Sequence, residues 1–162
     1  KRMVSCRSSS SNSSFSPRGD AKMSYSFGKN SLKHQAGLNP DLKLILNRAL
    51  EISVFDFGVP ATGGVRSAET QNALYLDGKS QLDGYKQLSN HQLGNAVDVF
   101  AIDPETGKAS WDHEMLAVIA AAMLQASSEL NTTPLRWGGL WGHYGRDGAF
   151  CDRPHFELVI ED

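Results

Sequence analysis

The chain alternates between segments with clear apolar spacing and segments with none. From Pro40, the positions Leu42, Ile45, Leu46, Ala49 and Leu50 recur at helical intervals, and Asn39-Pro40 supplies a cap residue followed by proline in the first turn. The pattern therefore predicts an amphipathic helix through "PDLKLILNRALEIS". Next, "VFDFGVP" alternates weakly and ends in Gly and Pro, which suits a strand or a sheet edge. "ATGGVRSAETQNALYLDG" reads as a turn passing into a short helix, with Arg66 at its entrance. "NAVDVFAI" reads as one strand and "DPETGKAS" as a turn or loop. Residues 112–130 carry the strongest helix signal: alanine-rich, acidic in the first turn, and apolar on most sides, so expected to be buried. "LRWGGLWGHYGRDGAFCDRP" reads as a glycine- and aromatic-rich loop, and "HFELVI" as a closing strand. Helices and strands mix without a βαβ rhythm, which predicts an α+β fold with a mainly antiparallel central sheet flanked by helices.

The N-terminus departs from all of these patterns. Residues 1–22 are serine-rich and nearly free of large apolar groups, so they are expected to form a disordered tail, native or introduced for expression. Residues 23–162 are expected to form a single domain, because 162 residues suffice for one ordinary core and not for two. The formal net charge of −2 supplies no basic field for nucleic acid. No apolar run approaches a membrane span, and no apolar stretch follows the basic N-terminus as a secretory signal would require. The two cysteines, Cys6 and Cys151, make no disulfide framework.

Candidate chemistry centres on "SNHQLGNAVDVF". A lone aspartate in a strand usually faces solvent. Here, however, Asp98 follows His91 in a polar turn, and Gly94 lets the chain fold back tightly. An imidazole and a carboxylate suit a borderline cation such as zinc. If the final strand pairs beside "AVDVF", His155 becomes a third ligand. Such a set leaves one position open, as catalytic zinc sites do. Asp152, three residues before His155, would then lie close to the metal as a general base.

"SNHQLGNAVD" matches the S-x-H-x-x-G-x-A-x-D signature of the zinc D-Ala-D-Ala peptidase family, to which phage L-alanyl-D-glutamate endopeptidases belong. "WGGLW" and "DRPHFEL" resemble the ending of those phage enzymes, "MSYSFGKNS" resembles their start, and "GVRS" their G-x-R segment. The resemblance covers nearly everything from Met23 onward. It implies the fold shared by these peptidases and hedgehog-type domains. It also implies one Zn2+ per chain held by His91, Asp98 and His155, with Asp152 as catalytic acid/base. Arg66 would hold a substrate carbonyl or carboxylate, and Ser89 would be a supporting hydrogen-bonding group rather than a nucleophile. The implied activity is cleavage of the L-alanyl-D-glutamate bond in bacterial peptidoglycan, as a phage endolysin that lyses its host. A D-Ala-D-Ala carboxypeptidase and a hedgehog-like binding module are the alternatives; a base at Asp152 favours the enzyme. The protein is expected to act as a monomer, in the host cytoplasm until lysis, without membrane insertion. Two departures stand out: Leu140 replaces an acidic residue of several phage relatives, and the segment between Trp141 and Asp152 is longer than in compact ones.

The other candidates have plainer readings. "HEM" at His113 lacks the second histidine of H-E-x-x-H and reads as a helix start. His34 reads as an exposed tail or loop residue, His143 as solvated, and Cys151 as a small buried residue. Trp137 and Trp141 are expected to wedge their loop onto the core, with a substrate groove as the alternative. Asp56, Asp103, Asp112 and Asp147 read as caps, turns and solvated faces.

Overall fold

A computed structural model of the chain describes residues 25–142 and 151–160. Their elements run α1 (Lys29–His34), α2 (Pro40–Ile52), β1 (Phe57–Gly58), α3 (Ala68–Leu76), β2 (Ala96–Asp98), β3 (Phe100–Ile102), β4 (Ala109–Ser110), α4 (His113–Leu130), β5 (Leu135–Trp137) and β6 (His155–Leu158). A single 3-10 turn, Gly138–Leu140, follows β5. The readings of the tail at 1–22, and of Cys6, His143 and Asp147, lie outside the described residues.

The two long helices begin where the sequence places their caps. The Asn39 side chain accepts from the Asp41 amide at 3.0 Å, with Pro40 in the first helical position. Asp112 accepts from the amides of Glu114 and Met115, both at 3.0 Å, so "HEM" is indeed a helix start. Helix α4 ends at Asn131, which adopts the left-handed conformation (φ 49°). Helices α2 and α4 pack on each other through Leu42, Ile45, Leu46, Ile119 and Met123, all fully buried. One expectation is corrected here. Helix α4 is not buried on most sides: Ala117, Val118 and Ala121 face solvent, because alanine extends an apolar stripe without needing cover.

The strands correct two more expectations. "NAVDVFAI" is not one strand but two, β2 and β3, which belong to different sheets. The chain passes from one sheet to the other at Val99, whose amide still donates to the Pro154 carbonyl at 3.0 Å in the β2–β6 register, while proline has no N–H to return the bond. "LRW", read as loop, is strand β5. Two three-stranded antiparallel sheets result, ordered β1-β3-β4 and β2-β6-β5. With the helices they make the mixed α+β architecture that the sequence implies.

The register of the second sheet positions the site. Asp98 lies opposite His155, Ala96 and Arg136 lie on either side of Glu157, and Trp137 lies opposite Phe156. Side chains alternate across a strand. Phe156 and Val97 therefore turn into the core, while Asp98, His155, Glu157 and Arg136 share the other face. Phe156 is completely buried, and Trp137 stacks on it at 6.5 Å while its Nε1 donates to the Arg153 carbonyl at 2.7 Å. Trp137 thus fastens its segment to the core, as expected.

Candidate active site and metal centre

His91 is presented by a tight turn rather than a strand. The Gln92 amide donates to the Ser89 carbonyl at 2.9 Å and the Gly94 amide to the His91 carbonyl at 3.2 Å. Gly94 has φ 73°, and a Cβ there would stand 2.8 Å from the Gly37 carbonyl oxygen, so only glycine serves. The turn buries His91 to 3% exposure and aims its ring at the polar face of β2 and β6.

Three atoms converge there. His91 Nε2 and His155 Nδ1 are 3.2 Å apart, and they lie 3.2 and 3.0 Å from the same Asp98 oxygen, Oδ1. The far sides of the rings define their tautomers. His91 Nδ1 is 3.0 Å from the Gly64 carbonyl, which only accepts, so the nitrogen is the donor. His155 Nε2 is 3.2 Å from Glu157 Oε2, and a carboxylate likewise only accepts. In the neutral rings both inward nitrogens therefore present lone pairs to each other and to a carboxylate oxygen. Three lone pairs this close repel unless a cation lies among them, and two imidazoles with one carboxylate suit a borderline divalent ion. His91, Asp98 and His155 form a possible metal-binding group on this chemistry.

The electrostatics agree. Burial alone would raise the Asp98 carboxyl, but the imidazoles of His155 and His91 against it, together with the Arg66 charge, hold it far below the usual range. Arg66 contributes to this by donating from Nη2 to Asp98 Oδ2 at 2.5 Å. Its Nε donates to the Thr62 carbonyl at 2.7 Å and its Nη1 to Gln71 Oε1 at 3.4 Å. Asp152 shows the opposite shift. Burial first, and the Asp98 charge second, push its carboxyl above the ordinary value. Its backbone is clamped: its amide donates to Gly138 at 3.0 Å and its carbonyl accepts from the His155 amide at 3.2 Å. A carboxylate that takes up a proton more readily than a surface aspartate lines the same cleft as the candidate metal ligands.

Among the described residues, Ser89 makes no side-chain hydrogen bond to the three converging groups. It is buried, and its Oγ donates to Gln71 Oε1 at 3.0 Å, which links it through Gln71 to Arg66. Gln71, Asn90 and Glu157 are site residues that the sequence reading missed. Gln71 is fully buried in α3, with Nε2 donating to Ser80 Oγ at 2.7 Å and to the Leu82 carbonyl at 3.0 Å. Glu157 had a legible signal, since it stands two residues after His155 in a strand and must share its face. Gln71 had none beyond a polar residue in a short helix.

His91, Asp98, Asp152, His155 and Arg66 all line a cleft of about 520 Å³, which Leu74 and residues 79–82 line as well. Trp141 also lines it, its ring 4.9 Å from that of His155, so this tryptophan serves the cleft rather than the core. His34 corrects another expectation: it closes α1, half-buried, with Nδ1 2.8 Å from the Val59 carbonyl. Cys151 Sγ contacts the Gly139 carbonyl at 3.4 Å.

A His-Asp-His group that could hold a metal ion, with a burial-shifted carboxyl in the same cleft, is consistent with a hydrolase. Comparison with known proteins narrows the class. The chain belongs to the phage L-alanyl-D-glutamate peptidase family, whose model matches residues 23–159. It is 34% identical over 144 residues to the L-alanyl-D-glutamate peptidase of Escherichia phage T5, covering 85% of this chain and 100% of that protein. Its structure is similar to that of the Serratia marcescens L-Ala D-Glu endopeptidase ChiX, with a TM-score of 0.69 and 32% identity, over 86% of this chain and 94% of that one. Among the described residues, no helix is long and apolar enough to cross a membrane.

Proposed function

We propose that the chain is a peptidoglycan endopeptidase that hydrolyses the amide bond between L-Ala and D-Glu in the peptide stem, with zinc held by His91 Nε2, Asp98 Oδ1 and His155 Nδ1. The observation that carries this reading is the convergence of these three donors in the same cleft as Asp152, in a chain of this family. When bound, zinc would supply Lewis acidity, polarising the scissile carbonyl and making water nucleophilic near neutral pH.

The chain's own groups supply the rest. Asp152 accepts the proton of the attacking water and delivers it to the leaving amine, two tasks that a raised carboxyl pKa brings closer together. Arg66 turns Asp98 so that Oδ1 meets the histidines, and its guanidinium lines the cleft where negative charge develops on the carbonyl oxygen. Gln71 and Ser89 brace that guanidinium from behind. Residues 23–162 constitute the catalytic domain in this reading, and the protein acts as a monomeric endolysin on the wall of its host from the cytoplasmic side.

Digestion of purified peptidoglycan tests the assignment. New N-terminal D-Glu amines, dependent on added zinc after chelation, are the expected products. Release of free D-Ala instead would assign the chain to carboxypeptidase chemistry, and zinc uptake without any cleavage would point to a binding module.

A further inference from the structure

Strand β6 places Glu157 on the same face as His155 and buries it to 5% exposure. His155 Nε2 lies 3.2 Å from Glu157 Oε2, and Asn90 Nδ2 donates to that same oxygen at 2.7 Å. Arg136, directly across the β5–β6 ladder, donates to Oε1 from Nε at 2.9 Å and from Nη2 as well. A carboxylate offers about four lone-pair sites, and N–H groups of His155, Asn90 and Arg136 fill them. Trp141 lies against the outer side, its ring 4.9 Å from His155 and 5.8 Å from the Arg136 guanidinium carbon.

We propose that Glu157 is a positioning residue for His155: it accepts the Nε2 proton and so fixes the imidazole with its Nδ1 lone pair toward His91 and Asp98. This inference rests on the metal reading given above. Two alternatives have to be suppressed for His155 to serve as a ligand through Nδ1. The other tautomer would put a proton on Nδ1, where a cation must bind. A ring flip would exchange both nitrogens for carbons, leaving Asp98 and Glu157 each facing C–H. A buried anionic acceptor opposes both at once, because either change leaves the carboxylate short of a donor. Asn90 and Arg136 keep that acceptor from rotating.

The test uses the full chain and zinc alone. In Glu157→Gln the side chain must turn its NH2 either toward Arg136 or toward Asn90 and His155, donors in both cases. Competition against a chromophoric chelator is expected to show zinc affinity reduced by about 10- to 100-fold. In the zinc-free variant, long-range 1H–15N correlation is expected to show the proton of His155 moving to Nδ1. Arg136→Met, at a side chain 58% exposed, keeps the acceptor but frees it, and an intermediate loss of affinity is expected. It also serves if Glu157→Gln does not fold. Wild-type affinity in the folded variants, or His155 keeping its Nε2 proton in zinc-free Glu157→Gln, overturns the proposal. Because neither readout involves peptidoglycan, failure of the endopeptidase assignment would appear in digestion and not here.

Discussion

An alanine at position 64 would place its Cβ 1.8 Å from the His34 carbonyl oxygen and 3.0 Å from the carbonyl carbon, and neither can swing aside as a side-chain tip would. Ordinary contact begins at 3.4 Å, so about 1.6 Å of separation must be made by moving backbone. That backbone carries the site. The Gly64 carbonyl accepts from His91 Nδ1 at 3.0 Å, the Gly63 carbonyl from the Asp98 amide at 2.8 Å, and the Arg66 amide donates to the His91 carbonyl at 3.3 Å. Overpacking of a tight contact costs about 1–3 kcal/mol, and a weakened buried hydrogen bond adds about 1 kcal/mol. Gly64→Ala should thus destabilise the protein by roughly 2–4 kcal/mol, which lowers Tm by about 4–16 °C for a chain of this size. Zinc affinity should fall about 10- to 100-fold, because the group that orients His91 is displaced. Thermal unfolding with and without zinc, together with a chelator competition, measures both. Gly28→Ala is the control, since a Cβ there meets nothing within 4 Å. A Gly64→Ala protein matching that control in Tm and zinc affinity would refute the reasoning.

Gly138→Ala puts a Cβ 2.4 Å from the Asp152 carbonyl oxygen and 3.2 Å from the Asp152 Cβ. Displacing the base should lower kcat for stem-peptide cleavage by about 100-fold, measured against KM in steady-state assays. Phe156→Ala empties a fully buried site beneath Trp137, and denaturant titration should show a loss of about 3–5 kcal/mol. Asp41 ties the start of α2 to Thr133, accepting from its amide at 2.9 Å and its hydroxyl at 2.7 Å, which hold the carboxyl below its ordinary value of 3.8. A depressed carboxyl pKa contributes stability above the unfolded value and loses it as pH falls through the folded one. The stability gap between wild type and Asp41→Asn should therefore be level near about pH 5–7 and narrow only below about pH 4, as followed by melts across that range.

Much of the site was legible because its chemistry is local. The seven-residue spacing of His91 and Asp98, the glycine between them, and a final strand opening on His155 are all visible in the chain. Pairing of that strand with "AVDVF" entered only as a condition, and the register does set Asp98 opposite His155. Caps at Asn39 and Asp112 were equally local. What escaped depends on distant partners. Nothing near Val99 signals that the β2–β6 ladder ends at Pro154 and that Phe100 pairs with Gly58 instead, and so the division of one apolar run between two sheets was invisible. Strand β5 has only three residues before a Gly-Gly pair, too few for alternation to show. Gln71 is a buried polar residue whose side-chain partners lie up to 18 positions away; composition makes such a residue look like surface.

The central claim is that His91, Asp98 and His155 hold a metal beside which Asp152 moves the proton. The most direct measurement compares wild type with Asp152→Asn for bound zinc and for the rate at which D-Glu amino termini appear from purified peptidoglycan. The account predicts undiminished zinc with a rate lowered by about 10²- to 10⁴-fold, the contribution of a positioned general base. A variant that retains zinc and cleaves at the wild-type rate would contradict it.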